Sequence, residues 1–248
     1  MQASRNIFLS EPDVTLYTNN IIFKPGKQDR HGGRYIFEYV VAADYSDTLI
    51  ALEAITQDTK EKLKVTEVDG PLNSSVLDNV SYNSTDFVWF QIDVTPVIKG
   101  GRSEIPIEVN EHHKRRKTPY PAKIPLTREQ IVRFFDSRFL LSPYQVVQQE
   151  SIYHFRREDI IHYTDIADAR TEPRGIKYGP MWNVEPFKFD LIHLILLMPE
   201  PHMLLSEASK SVHVSHWGFI SVDEYFMMEN VGAQLEGEFS RVDFTKQN

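Results

Sequence analysis

Cysteine is absent from the chain. That excludes disulfides, thiolate nucleophiles and cysteine-bound zinc together. It does not identify the compartment, because a chain of 248 residues can bury a core without covalent staples. Long apolar runs are also missing. The most apolar stretch, Leu191 to Met198, is interrupted by His193 and falls well short of the roughly 20 residues that span a bilayer. Met1 to Ser10 holds one Arg and the short run Ile7-Phe8-Leu9, less than a signal peptide requires. The sequence as it stands is therefore expected to be soluble. Positive charge is in deficit, with 27 Lys and Arg against 35 Asp and Glu and a net charge of -8. A surface of that sign argues against a nucleic-acid partner. The phosphate-cradling Gly-rich loops, the G-x-S-x-G elbow and the H-E-x-x-H zinc helix are absent as well, so the common signatures of nucleotide, acyl-transfer and zinc-hydrolase chemistry are missing.

What is present is a globular mixture, 41% hydrophobic and 25% charged, patterned with a period of two. Arg34 to Val41 sets Tyr35, Phe37, Tyr39 and Val41 on one face, and Glu104 to Val109 does the same with Ile105, Ile107 and Val109. Phe87 to Val94 is aromatic and β-branched, and Ser211 to Phe226 alternates over its whole length. These are strand signatures. They are separated by turn signals at Pro25-Gly26, His31-Gly32-Gly33, Asp69-Gly70-Pro71 and Gly100-Gly101. Leu126 to Phe135 carries Thr127 and Gln130 at capping-box spacing and suits a helix or a strand. The expected fold is mainly β, with antiparallel sheets packed face to face in the manner of a sandwich and little helix. Residues 1–248 read as a single β-rich domain, with a sub-domain junction or a long hairpin loop near 114–125, where the chain turns basic and then Pro-rich.

Candidate chemistry is sparse. His213 and His216, three apart on an expected strand, point to opposite faces and do not share a metal. Ser215 beside His216 and Asp223 beside Glu224 have the same defect, since neighbours on a strand diverge. No catalytic, cofactor-binding or metal-binding residue is assigned. Trp217, in an apolar β stretch and followed by Gly218, is expected in the core. The run His112-His113-Lys114-Arg115-Arg116-Lys117 stands out against the acidic background. It reads as an exposed basic loop, either simply solvated or contacting lipid headgroups, an acidic partner or a phosphate-bearing ligand. Asn73-Ser74-Ser75, Asn79-Val80-Ser81 and Asn83-Ser84-Thr85 are three N-glycosylation acceptors crowded into one polar segment. Asn73, Asn79 and Asn83 are accordingly the candidate modification sites, although a Ser/Asn-rich loop generates such triplets without their being used.

A family resemblance enters in the second half. In order come Pro119-Tyr120-Pro121, Ser142-Pro143-Tyr144, Tyr163-Thr164, Tyr178-Gly179-Pro180 and Val214-Ser215-His216-Trp217-Gly218. Gly232-Ala233, Gly237, Phe239-Ser240-Arg241 and Asp243 close the series. This order resembles the N-terminal lumenal domain of ribophorin I, the alpha subunit of the oligosaccharyltransferase complex. The S-H-W-G and G-x-F-S-R stretches carry most of the weight. The match runs from about Ile105 to Phe244 and is only a β-rich pattern before that. Phe219 stands where the family tends to have Asn, and Glu236 and Glu238 replace a Lys and a Pro. The resemblance implies a non-catalytic subunit that supports transfer of a lipid-linked oligosaccharide to asparagine of nascent chains, at the endoplasmic reticulum lumen or membrane. It implies other oligosaccharyltransferase subunits as partners, including the catalytic one, with nascent chains or the translocon as further candidates, and no cofactor. Two readings from other classes compete. One is a stand-alone β-sandwich interaction or carbohydrate-binding module using Trp89 or Trp182 as platforms. The other is a hydrolase with an unrecognised site.

Overall fold

The computed structural model describes residues 1–248 except 12, 27–28, 73–76, 78–85, 99–102, 157–158, 243–244 and 246–248. The strands are β1 Gln2–Phe8, β2 Val14–Phe23, β3 Arg30–His31, β4 Arg34–Ala42, β5 Leu49–Thr56, β6 Lys62–Val68 and β7 Phe87–Asp93. There follow β8 Ile105–Lys114, β9 Lys117–Pro119, β10 Lys123–Ile124, β11 Ile131–Ser137, β12 Val146–His154 and β13 Ile160–Tyr163. The last are β14 Ala169–Glu172, β15 Gly175–Val184, β16 Leu191–Leu197, β17 Met203–Val214, β18 Ile220–Asn230 and β19 Gln234–Leu235. Helix is sparse: a 3-10 segment, Ala43–Thr48, a single turn, α1 Thr95–Ile98, and isolated helical residues such as Arg241 and Val242 near the end of the described chain. The mainly antiparallel β expectation holds, and two strand pairs, β1 with β12 and β10 with β19, run parallel.

An eleven-stranded sheet runs β14-β15-β12-β1-β2-β8-β5-β6-β7-β4-β3. It curls back on itself: Phe23 on β2 meets Phe37 on β4 at a ring separation of 4.6 Å, though several strands lie between them in hydrogen-bond order. The alternating residues Ile105, Ile107 and Val109 of β8 and Phe37, Tyr39 and Val41 of β4 share the core inside that curl. A second core joins the other end of the sheet to a four-stranded sheet, β13-β16-β11-β9. There Val132 and Phe134 of β11 and Leu194 and Leu196 of β16 pack with Tyr153 of β12 and Tyr178 of β15. Each core collects the inward-facing half of period-two strands, which is why the alternation in the sequence is so regular.

Two local features are decided by strand partners. Leu126 to Phe135 does not form a helix; residues 126–128 turn and Ile131–Ser137 is a strand paired with β16. Gln130, expected as half of a capping box, instead spends its amide on Met198 O (3.4 Å) and on accepting from Ala233 N. β-Branched and aromatic residues then continue as a strand, since a partner strand is available. Tyr178-Gly179-Pro180 lies inside β15, at an irregularity in its pairing with β12 between Gln149 and Ser151. Gly179 (φ 110°) is required there, because a Cβ would stand 3.0 Å from Gln149 O.

Candidate functional site

The described part of the chain presents its most unusual surface at β17 and β18, a hairpin that forms its own two-stranded sheet and pairs with no other described strand. Ser211 to Phe226 is thus two strands with a reversal between them, not one. Ser215 builds the turn: its amide donates to Phe219 O (2.9 Å) and its carbonyl accepts from Gly218 N (3.1 Å). Its hydroxyl oxygen accepts from the amides of Trp217 (3.2 Å) and Phe219 (3.3 Å). Gly218 takes φ 80°, the left-handed conformation such a turn needs. The S-H-W-G stretch is a turn motif, and it thrusts Trp217 outward.

Trp217 is 88% exposed, so the expectation of a core residue is overturned. The alternating pattern that suggested burial belongs to a hairpin whose apolar side is exposed and which pairs with no other described strand. Trp89, a suggested sugar platform, is by contrast buried to 1% between Phe87 and Phe187, while Trp182 is 60% exposed on β15. His213 lies on β17 with Asp223 diagonally across the hairpin at 3.7 Å, and His216 sits in the turn. Ser215 serves the turn rather than a proton relay. Among the described residues, no three His, Asp or Glu side chains come together as metal ligands.

The base of the hairpin is clamped to the body. Asp13 accepts from Met203 N at 2.9 Å and lies 3.6 Å from His202, whose carbonyl accepts from Val231 N. Arg115 reaches Glu229 at 3.1 Å. Lys117, buried beside this cluster, donates to Val14 O (2.7 Å) and Thr15 Oγ1 (3.3 Å). Burial pulls the Lys117 ammonium down to about 7, against the upward pull of Asp13 and Glu11. Burial also lowers His202, with Asp13 opposing. Past the hairpin, the chain returns to the body through β19, which pairs with β10 and seats Ala233 on Gln130.

The basic run 112–117 is therefore not an exposed loop. His112 to Lys114 complete β8, and Lys117 opens β9. His113 is buried between Thr48 (2.9 Å) and Glu111 (3.0 Å). Burial alone would push the Glu111 carboxyl up, but the hydrogen bond and charge of His113, with Tyr39 assisting, hold it below the usual range. Arg116 lies over the Tyr45 ring at 3.4 Å and shares Asp136 with Arg5, at 3.6 and 3.4 Å. Of the run, Arg115 alone is exposed, and it is tied to the hairpin. Composition marked these charges as unusual; only the fold shows that they line a polar seam between the two cores. Asn73, Asn79 and Asn83 lie outside the described residues.

The family model for ribophorin I matches residues 2–248. The chain belongs to the ribophorin I family. Among curated relatives, "Dolichyl-diphosphooligosaccharide--protein glycosyltransferase subunit 1" of Caenorhabditis elegans is 27% identical over 206 residues, covering 82% of this chain and 33% of that one. Subunit 1B of the same transferase from Arabidopsis thaliana is 30% identical over 126 residues, covering 51% of this chain and 27% of that one. The ribophorin I-like chain thus spans a third or less of the length of these relatives. Among solved structures, an aminopeptidase N family protein from Idiomarina loihiensis aligns at a TM-score of 0.46 with 11% identity, over 89% of this chain and 32% of that one; so weak a likeness carries no argument. Among the described residues, no helix is long and apolar enough to cross a membrane.

Proposed function

We propose that this protein is a non-catalytic subunit of the oligosaccharyltransferase complex of the endoplasmic reticulum, supporting transfer of lipid-linked oligosaccharide to asparagine of nascent chains. The observation that carries the reading is the ribophorin I match over residues 2–248, joined to relatives named as subunit 1 of that transferase. Its partners are the other subunits, the catalytic one among them, and it faces the lumen as one β-rich unit. The segment 114–125 is the seam of that unit, where the chain leaves β8 of the large sheet and enters β9 of the small one. A presenting role fits the chemistry. The buried charges Arg5, Arg116, Asp136 and Glu111 are engaged with one another and with Tyr17, Tyr153 and Asn19, rather than poised in an open cleft.

The test is affinity purification of the full-length protein from endoplasmic reticulum membranes. The transferase subunits and glycan transfer should co-purify, while the isolated chain should transfer none. Turnover by the isolated chain that is lost on changing His213 or His216 would make it an enzyme in its own right. We further infer glycan at one or more of Asn73, Asn79 and Asn83 on passage through the secretory pathway. Intact mass should fall on deglycosylation, and an unchanged mass counts against it.

A further inference from the structure

The hairpin is amphipathic in a way its own chain does not use. Directly opposed residues share a face, so the register places Val214 with Ile220, Val212 with Val222 and Ala208 with Phe226 on one side. His213 with Ser221, Ser211 with Asp223 and Ser209 with Tyr225 lie on the other. The apolar side is open along its length, from Ile220 (67% exposed) to Met228 (63% exposed). Its one charged pair, Lys210 with Glu224 at 2.5 Å, neutralises itself. Trp217 and Phe219 crown the tip.

Resting on the subunit reading above, the geometry points to this face, with its aromatic tip, as the surface by which the chain docks onto a companion protein subunit of the transferase complex. Three observations choose that occupant. Val212, Val214, Ile220, Val222, Phe226 and Met228 are each about half or more exposed and form one continuous apolar stripe, of the kind a monomer seldom leaves in water and a protein interface covers. Hydrocarbon does not suit it: both outer edges of the hairpin carry backbone groups that pair with no other described strand, and lipid cannot satisfy them whereas another polypeptide can. The Lys210–Glu224 pair in the middle of the face is likewise misplaced in lipid. A second copy would bring another body of net charge -8 to a face that carries no net charge to offset it. The fitting partner presents an uncharged apolar patch and free backbone groups. The clamp at the base, Asp13 to Met203 N and Arg115 to Glu229, holds the arm in place before the partner arrives, which lowers the entropy lost on docking.

The experiment uses full-length protein in membranes of cells that assemble the transferase. A photo-crosslinking p-benzoyl-phenylalanine replaces Val212 or Ile220 on the apolar face, or Ser211 on the polar face. In parallel, Val222→Asp, Phe226→Asp and, as the polar-face control, Ser221→Asp are tested for recovery of the complex, with thermal melting as the check on folding. Expected are crosslinks from positions 212 and 220, but not 211, to an identified transferase subunit. Recovery should drop at least tenfold for the two apolar-face variants and stay unchanged for Ser221→Asp. Crosslinks to lipid, to a second copy or only within the same polypeptide would overturn the docking assignment, as would full recovery with both Asp variants. In those cases the wild-type protein still recovers the transferase and the subunit reading stands. Wild-type protein that recovers no transferase subunit removes both. If an Asp variant fails to fold, the crosslinks, made with that residue intact, decide the matter.

Discussion

Lys117 is the residue where burial and charge are most directly opposed. The unfolded chain keeps its ammonium near about 10.4, while the folded protein holds it near 7. Between those values the unfolded state binds more protons, so stability rises with pH; below both, the folded state carries the full penalty of a buried cation. Lys117→Met should therefore flatten the rise in urea-unfolding free energy between pH 7 and 9. The slope from His202, lowered in the same direction, lies at more acidic pH and should survive. Asp136 makes the reverse case. It faces Arg5, Arg116 and the Tyr153 hydroxyl at once, so Asp136→Ala strands two buried guanidinium groups and should cost about 3–5 kcal/mol in chemical denaturation. The tryptophans separate on the same measurement: Trp89→Ala should cost about 3–5 kcal/mol, and Trp217→Ala should stay within about 0.5 kcal/mol.

At the scale of elements, two glycines set the geometry of their strands. Gly175 opens β15 opposite His154, and a Cβ there would lie 1.9 Å from Tyr153 O. Gly175→Ala should separate β12 from β15 and lower the melting temperature of the whole protein, as circular dichroism would record. Gly218 faces open space but sits at φ 80°. Gly218→Val should strain the hairpin turn by about 1–2 kcal/mol and leave the body intact, seen as faster amide exchange confined to β17 and β18. The contrast follows from place: one glycine is locked against a neighbouring strand, the other ends a projecting arm.

At the scale of the whole molecule, the described chain is a body of two large cores and a smaller buried cluster of Val40, Phe87, Trp89 and Phe187, carrying an arm that none of them buries. Shortening the hairpin by replacing residues 206–227 with a two-residue turn should leave thermal melting of the body nearly unchanged, because the clamp residues Asp13, His202 and Arg115 act at its base. The full-length shortened protein should also lose the transferase in co-purification if the arm is the docking element. A body that melts well below the wild type would show that the arm supports the cores after all.

The sequence by itself determined the strands with one wet and one dry face. Ile105, Ile107 and Val109, or Phe37, Tyr39 and Val41, announce their burial through a period of two that any half-buried strand must show. It also carried the family resemblance, because an ordered series of motifs such as S-H-W-G and G-x-F-S-R can be read whatever their structural role. Only the tertiary structure decided what each pattern faces. Alternation reports that one side is apolar, not that something covers it, so Trp217 and the hairpin read as core. A run of Lys, Arg and His reports charge, not exposure, so the seam formed by Arg116, Lys117 and His113 read as a loop. Burial of those charges depends on Asp136 and the backbone of β2, which arrive from distant parts of the chain, and on Glu111 of β8 itself. Gln130 shows the same limit at short range: its spacing from Thr127 suited a helix, but Met198 and Ala233, brought close by the fold, claimed its side chain.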